Sequence, residues 1–172
     1  KKKHGMDMVA FELIRHLQQI DTVNEYVIFV RPDEDNKVIS ETENFKIVEL
    51  NSGSFPQWEQ VALPKAAEKH GCDILHCTSN TAPVFCKVPL IVTLHDIIYM
   101  ESSAWRLLTG KGSNYQKFGN VYRRMVVPSI IKKARKIITV SDFEKDRISD
   151  YFGLQKDFRL VTVYNGVGDY FK

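Results

Sequence analysis

Six short apolar segments recur along the chain, each parted from the next by a helical or polar stretch. They are Tyr26–Val30, Phe45–Leu50, Ile74–Cys77, Leu90–Leu94, Lys136–Val140 and Arg159–Tyr164. Runs this short are strands. Tyr26–Val30, being almost continuously apolar, is predicted to be buried on both faces. Between them lie stretches with helical spacing. Met6, Val9, Ala10, Leu13, Leu17 and Ile20 form one apolar stripe over Met6–Gln19, and further helices are predicted at about 57–70, 122–134 and 141–152. Gly71 and Gly153 stand where helices end, and Ser141 with Glu144 has the spacing of a capping box. Pro128 is expected to kink or split its helix. Strands alternating with helices predict an α/β fold, a Rossmann-like three-layer α/β/α sandwich with a mostly parallel sheet.

Length and composition fit such a fold. The chain has 172 residues, 44% hydrophobic and 26% charged, enough for one core. No apolar run approaches the roughly 20 residues of a membrane helix, and no leader pattern opens the chain. Three cysteines, Cys72, Cys77 and Cys86, match no zinc spacing, and their odd count favours a reducing compartment. A cytoplasmic location is expected. Net charge is only +3, but it is unevenly spread. Residues 21–50 carry eight acids and three bases, whereas residues 105–136 carry nine bases and no acid. Such asymmetry suggests an anionic partner on one face, whether a phosphate ligand, a lipid surface or a nucleic acid. A merely solvated basic helix is the competing explanation. Nucleic acid is not expected as a partner, since no recognition motif is present. No G-x-G-x-x-G follows a strand, which disfavours a dehydrogenase.

In a parallel α/β sheet, ligands bind beyond the carboxyl ends of the strands. The residues there are Thr78–Pro83, His95-Asp96, Ser141 and Asn165-Gly166. His95 is the sharpest candidate, because a strand-end imidazole can bond a substrate hydroxyl or phosphate and accept a proton near neutral pH. A structural hydrogen bond in the loop is its alternative role. Asp96 either orients His95 or caps the next segment. His76, inside a strand, reads as a core histidine with one satisfied nitrogen. Gly5, ahead of the first helix, would let backbone approach a phosphate closely.

Several pieces together resemble a known family. Gly5 leads into Met6–Gln19. Trp58-Glu59-Gln60 precedes Leu63-Pro64, and Asp73-Ile74-Leu75-His76 precedes Ala82-Pro83. Val92-Thr93-Leu94-His95-Asp96, Thr139-Val140-Ser141-Asp142-Phe143 and Val163-Tyr164-Asn165-Gly166-Val167 with Phe171 follow. In this order and spacing the chain resembles the N-terminal domain of GT-B-fold retaining glycosyltransferases of family 4.

The resemblance implies transfer of a hexosyl unit from a nucleotide sugar to a saccharide or lipid-linked acceptor, with retention and without a metal or other cofactor. It implies that His95 is catalytic and reaches the transferred sugar, and that Gly5, Asn80, Asp96, Ser141 and Arg147 contact substrate. Residues 1–164 would be the acceptor-side domain and 165–172 the start of a linker to the protein's own C-terminal donor domain. That donor domain and the family's first strand are expected to lie outside the chain, leaving it inactive by itself. The resemblance also suggests a peripheral contact with an anionic membrane, at the inner face, through residues 105–136, where Trp105, Tyr115, Phe118 and Tyr122 interleave with the bases. The alternative is a non-catalytic Rossmann-like module for a phosphorylated or nucleotide ligand.

Overall fold

A computed structural model describes residues 5–32, 39–101 and 114–166. Its contacts divide the chain into two compact units, residues 1–73 with 165–172, and residues 74–164. Both hold parallel strands interspersed with helices, consistent with a Rossmann-like domain, though no described helix separates β1 from β2 or β3 from β4.

The first unit opens with α1 (Gly5–Ile20) and holds the parallel pair β1 (Tyr26–Val30) and β2 (Phe45–Glu49), in register from Tyr26 with Phe45 to Val30 with Glu49. Tyr26 stacks on the fully buried Phe45, their ring centroids 4.2 Å apart. β1 is half-buried along its length rather than buried on both faces as its composition suggested, and among the described residues it pairs with β2 alone. The helix expected at 57–70 is present but not uniform. α2 (Phe55–Gln57) runs into a π-helical segment, Trp58–Ala62, and then into α3 (Leu63–Lys69). The Leu63 N–H reaches back to the Trp58 carbonyl, five residues away. Pro64 follows at once, and a proline ring would crowd the carbonyl four residues earlier in a regular helix. The wider turn sits where that crowding would fall. Gly71 follows α3 at φ +65°, the left-handed value that a glycine just past a helix end supplies.

The second unit is a four-stranded, all-parallel sheet in the order β3 (Leu75–Cys77), β4 (Leu90–Leu94), β5 (Lys136–Thr139), β6 (Leu160–Thr162). Its helices are α4 (Ile98–Glu101), α5 (Asn114–Lys133) and α6 (Asp142–Phe152). Val92, Leu94, Ile97, Val127, Ile130, Ile137 and Ile148 are fully buried. Each such side chain contributes about 1.5–3 kcal/mol relative to exposure. α5 starts eight residues before its apolar pattern begins and passes Pro128 without interruption. Val126, Val127, Ile130 and Ile131 are all buried around that proline, so packing holds the helix through the lost hydrogen bond. The expected kink is therefore not a break. α6 begins at Ser141, whose Oγ accepts the Glu144 N–H at 3.2 Å, and ends at Gly153 with φ 67°.

Arg159 fastens the far end of α5. Its guanidinium donates to the carbonyls of Ile131 (3.1 Å) and Ala134 (2.8 Å), satisfying groups that a helix C-terminus leaves orphaned. Asp157 holds it through Nε (3.0 Å) and Nη2 (2.6 Å). These bonds lower the Asp157 carboxyl below its ordinary range. A carboxyl depressed in the folded state stabilises above its unfolded pKa, and that stability is lost as pH falls through the folded value. Asp157→Asn should therefore lose less stability than wild type between pH 5 and roughly pH 2–3. Thermal melts across that range check this, and parallel melting curves for the two proteins would refute it.

Candidate functional site

The carboxyl ends of β3, β4 and β5 carry the loops expected to bind ligand. Two of them are stitched together. Asn80 is 2% exposed and sits at φ 63°, a left-handed conformation that asparagine tolerates better than most residues. That turn directs its N–H to the Thr93 carbonyl (3.1 Å) and lets its Oδ1 accept the His95 N–H at 2.6 Å. The His95 ring closes the arrangement, with Nε2 2.9 Å from the Thr78 carbonyl. A carbonyl only accepts, so Nε2 carries a proton and donates. In the neutral ring Nδ1 is then a lone-pair acceptor, and no described residue bonds to it. The residue is half-buried, so an acceptor nitrogen of fixed orientation stands at a strand end.

Asp96 resolves to the capping alternative. Its Oδ1 accepts the Ile98 N–H at 3.2 Å and starts α4. Ser141 lies two residues beyond Thr139, which pairs with Leu94, so it shares the sheet edge with His95. Its Oγ is the N-cap acceptor, which leaves the hydroxyl proton to donate. Asp142 accepts the hydroxyls of Thr162 and Tyr164, both at 2.6 Å, and these bonds hold its carboxyl below the ordinary range.

Arg147 is shared between two carboxylates. Its Nε donates to Glu101 Oε1 at 3.2 Å, and its two terminal nitrogens pair with Glu101 and Glu144. Its guanidinium also lies 5.5 Å from the Phe143 ring. Together with Tyr151, which donates to the Met100 carbonyl (3.2 Å), it fastens α6 to α4. Beneath this brace three buried polar atoms have no described hydrogen-bond partner: Tyr99 Oη, Thr139 Oγ1 and Glu144 Oε2. Burial, with Asp96 nearby, drives the Tyr99 phenol far above its usual value, so it stays a neutral donor. Arg123 of α5 lies 5.7 Å over the same ring.

The structure thus brings His95, Asn80, Asp96, Ser141 and Arg147 to one edge of one sheet. Gly5 belongs to the other unit, as the first residue of α1, exposed, with nothing within 4 Å of where a Cβ would stand. His76 has the one satisfied nitrogen expected of it, Nε2 lying 2.8 Å from the Oγ1 of the buried Thr93, but the residue as a whole is more exposed than a core histidine. Burial of the ring lowers its pKa below the ordinary value. Trp105 and Arg106 lie outside the described residues. Sequence reasoning placed Thr78 in the strand-end loop without foreseeing that its carbonyl orients His95, and it missed Glu101, which no spacing signals. Glu144 was visible only as a cap.

The chemistry available is recognition of hydroxyls, through an imidazole acceptor, a serine donor and the N-terminus of α6. Among the described residues no group of three or more His, Cys, Asp or Glu could hold a metal ion, and no helix is long and apolar enough to cross a membrane. The profile of the family described as Glycosyltransferase Family 4 matches residues 4–169. No curated protein matches the chain.

Proposed function

The chain belongs to glycosyltransferase family 4, and on that premise we propose that it forms the acceptor side of an enzyme moving a hexosyl unit from a nucleotide sugar to a saccharide or lipid-linked acceptor. Configuration is retained and no metal takes part. Residues 1–164 form the acceptor-side domain, and 165–172 open a linker toward a donor-binding domain. The observation that supports this reading best is His95, whose ring is oriented by the Thr78 carbonyl and whose backbone is pinned by Asn80, leaving Nδ1 for a sugar hydroxyl. Gly5, at the start of α1, stands where helix N–H groups favour a diphosphate. Ser141 and Asp96 complete the polar rim, and Arg147 holds it in shape. Contact with an anionic membrane through residues 105–136 belongs to the same reading.

Transfer requires donor and acceptor to be held together, which pre-pays the entropy of their encounter. The 172 residues alone are therefore expected to be inactive. The test is transfer from a panel of nucleotide sugars by the chain joined to a donor-binding domain, with the chain alone as control. His95→Ala should lower kcat by about 10²-fold or more, while His76→Ala leaves it within about twofold. Full activity in His95→Ala, or no transfer from any nucleotide sugar, would overturn the assignment.

A further inference from the structure

The edge of the four-stranded sheet opposite the candidate site is built from three short segments that meet at the amino ends of β4, β5 and β6. Two phenyl rings project there, Phe85 at 80% and Phe158 at 83% exposure. Rings so uncovered contribute almost nothing to the core. Each is instead held beside a lysine. Lys133 Nζ lies 4.4 Å from the Phe85 centroid and donates to the Val84 carbonyl at 2.8 Å. Lys136 Nζ lies 5.6 Å from the Phe158 centroid and donates to the Phe158 carbonyl at 3.2 Å. Arg135 stands between these lysines in the chain, its N–H fixed to the Leu90 carbonyl at 2.8 Å.

The charge is one-sided. Lys87, Lys132, Lys133, Arg135, Lys136 and Lys156 are all exposed in these segments. The acid among them, Asp157, is engaged by Arg159. A cavity of about 200 Å³ opens here, lined by Lys87, Lys133 and Arg135 over Val88 and Leu90. Cations around a shallow cavity suit a phosphate group, and exposed phenyl rings beside them suit an apolar layer just below it. A free phosphate would leave the rings in water. A nucleic acid would stack on ring faces, and each ring already has an ammonium beside it.

We propose, resting on the membrane contact above but moving it to this edge, which shares only residues 132–136 with that segment, that the edge docks on an anionic lipid bilayer. Phe85 and Phe158 enter the headgroup boundary, and the lysine and arginine row meets the lipid phosphates. The candidate site then faces away from the bilayer. β4 is five residues long, and at about 3.3 Å per residue His95 stands roughly 15 Å or more above the docking edge. A lipid-linked acceptor must therefore present its reactive hydroxyl at that height, beyond the headgroups.

Co-sedimentation with phosphatidylglycerol-containing and pure phosphatidylcholine vesicles tests this. The chain should bind the anionic vesicles only, and less as salt rises. Phe85→Ser/Phe158→Ser should lower that binding about tenfold or more, and Lys133→Ala/Lys136→Ala about 10–30-fold. All four side chains are on the surface, so melting curves should not move. Phe118→Ser/Met125→Ser, on exposed positions of α5, should bind as wild type. Loss in that variant with full binding by both edge variants would overturn the docking edge and leave the membrane contact standing. Absence of wild-type binding to either vesicle, or equal binding to both, would overturn both.

Discussion

Replacing Asn80 with alanine should cost the fold about 2–3 kcal/mol. Two losses combine. The half-buried His95 N–H is left without its acceptor, worth about 1–3 kcal/mol for an unsatisfied group. Alanine at φ 63° also adds roughly 1 kcal/mol of backbone strain that asparagine partly relieves through its own polar contacts. Glycine separates the two, since it removes the acceptor but accepts the backbone, so Asn80→Gly should cost about 1–2 kcal/mol. Aspartate keeps an acceptor in place and should come closest to wild type. The predicted order of stability is Asn, Asp, Gly, Ala, read from urea unfolding. Equal losses for Gly and Ala would show that the left-handed turn carries no cost. The same variants bear on function, because Asn80 holds the backbone from which the His95 ring is aimed.

The second large effect is at Arg147. Arg147→Met should destabilise by about 2 kcal/mol. Removing one partner of a buried pair commonly costs about 3–5 kcal/mol, but the Arg147 side chain is 23% and Glu101 43% exposed, and solvent screens part of that loss. The residual penalty falls on Glu144, whose side chain is only 12% exposed and whose Oε2 has no hydrogen-bond partner among the described residues. Arg147→Met/Glu144→Gln should therefore recover more than half of the lost stability, since no orphan charge remains. Arg147→Lys should recover less, because one ammonium cannot fork between two carboxylates. A double-mutant cycle measures the coupling. Strict additivity of the two changes would mean that Glu144 and Arg147 do not depend on each other.

The alternation of strands and helices was legible because it rests on local periodicity. All six strands lie within the apolar runs that announced them, and Ser141 and Gly153 mark the ends of α6 as their side chains require. What escaped depends on partners distant in sequence. Residues 116–121 of α5 bury no readable stripe: Gln116, Phe118 and Val121 are exposed, so nothing periodic signalled a helix before residue 122. The π-helical turn at Trp58–Ala62 is a matter of backbone register, which composition does not encode. His95 was visible as a strand-end residue. Its orientation was not, because it comes from the Thr78 carbonyl and from a left-handed asparagine. Arg147 could be named as a charged group near the site, but not its tie to Glu101, 46 residues away in the chain.

An all-parallel sheet has no hairpins, so every strand pair waits for a crossover to bring its partner round. In the four-stranded sheet the crossovers differ widely in length. The β3–β4 pair joins Leu75 to Leu90 and the β5–β6 pair joins Ile137 to Leu160, whereas the β4–β5 pair must join Ile91 to Lys136. The entropy of closing a loop grows with its length, so that central pair carries the largest topological cost in the sheet. It is also the pair whose register sets His95 and Ser141 on the same edge. The proposed site thus straddles the seam with the longest crossover: the half made of β3 and β4 carries His95, and the half made of β5 and β6 carries Ser141.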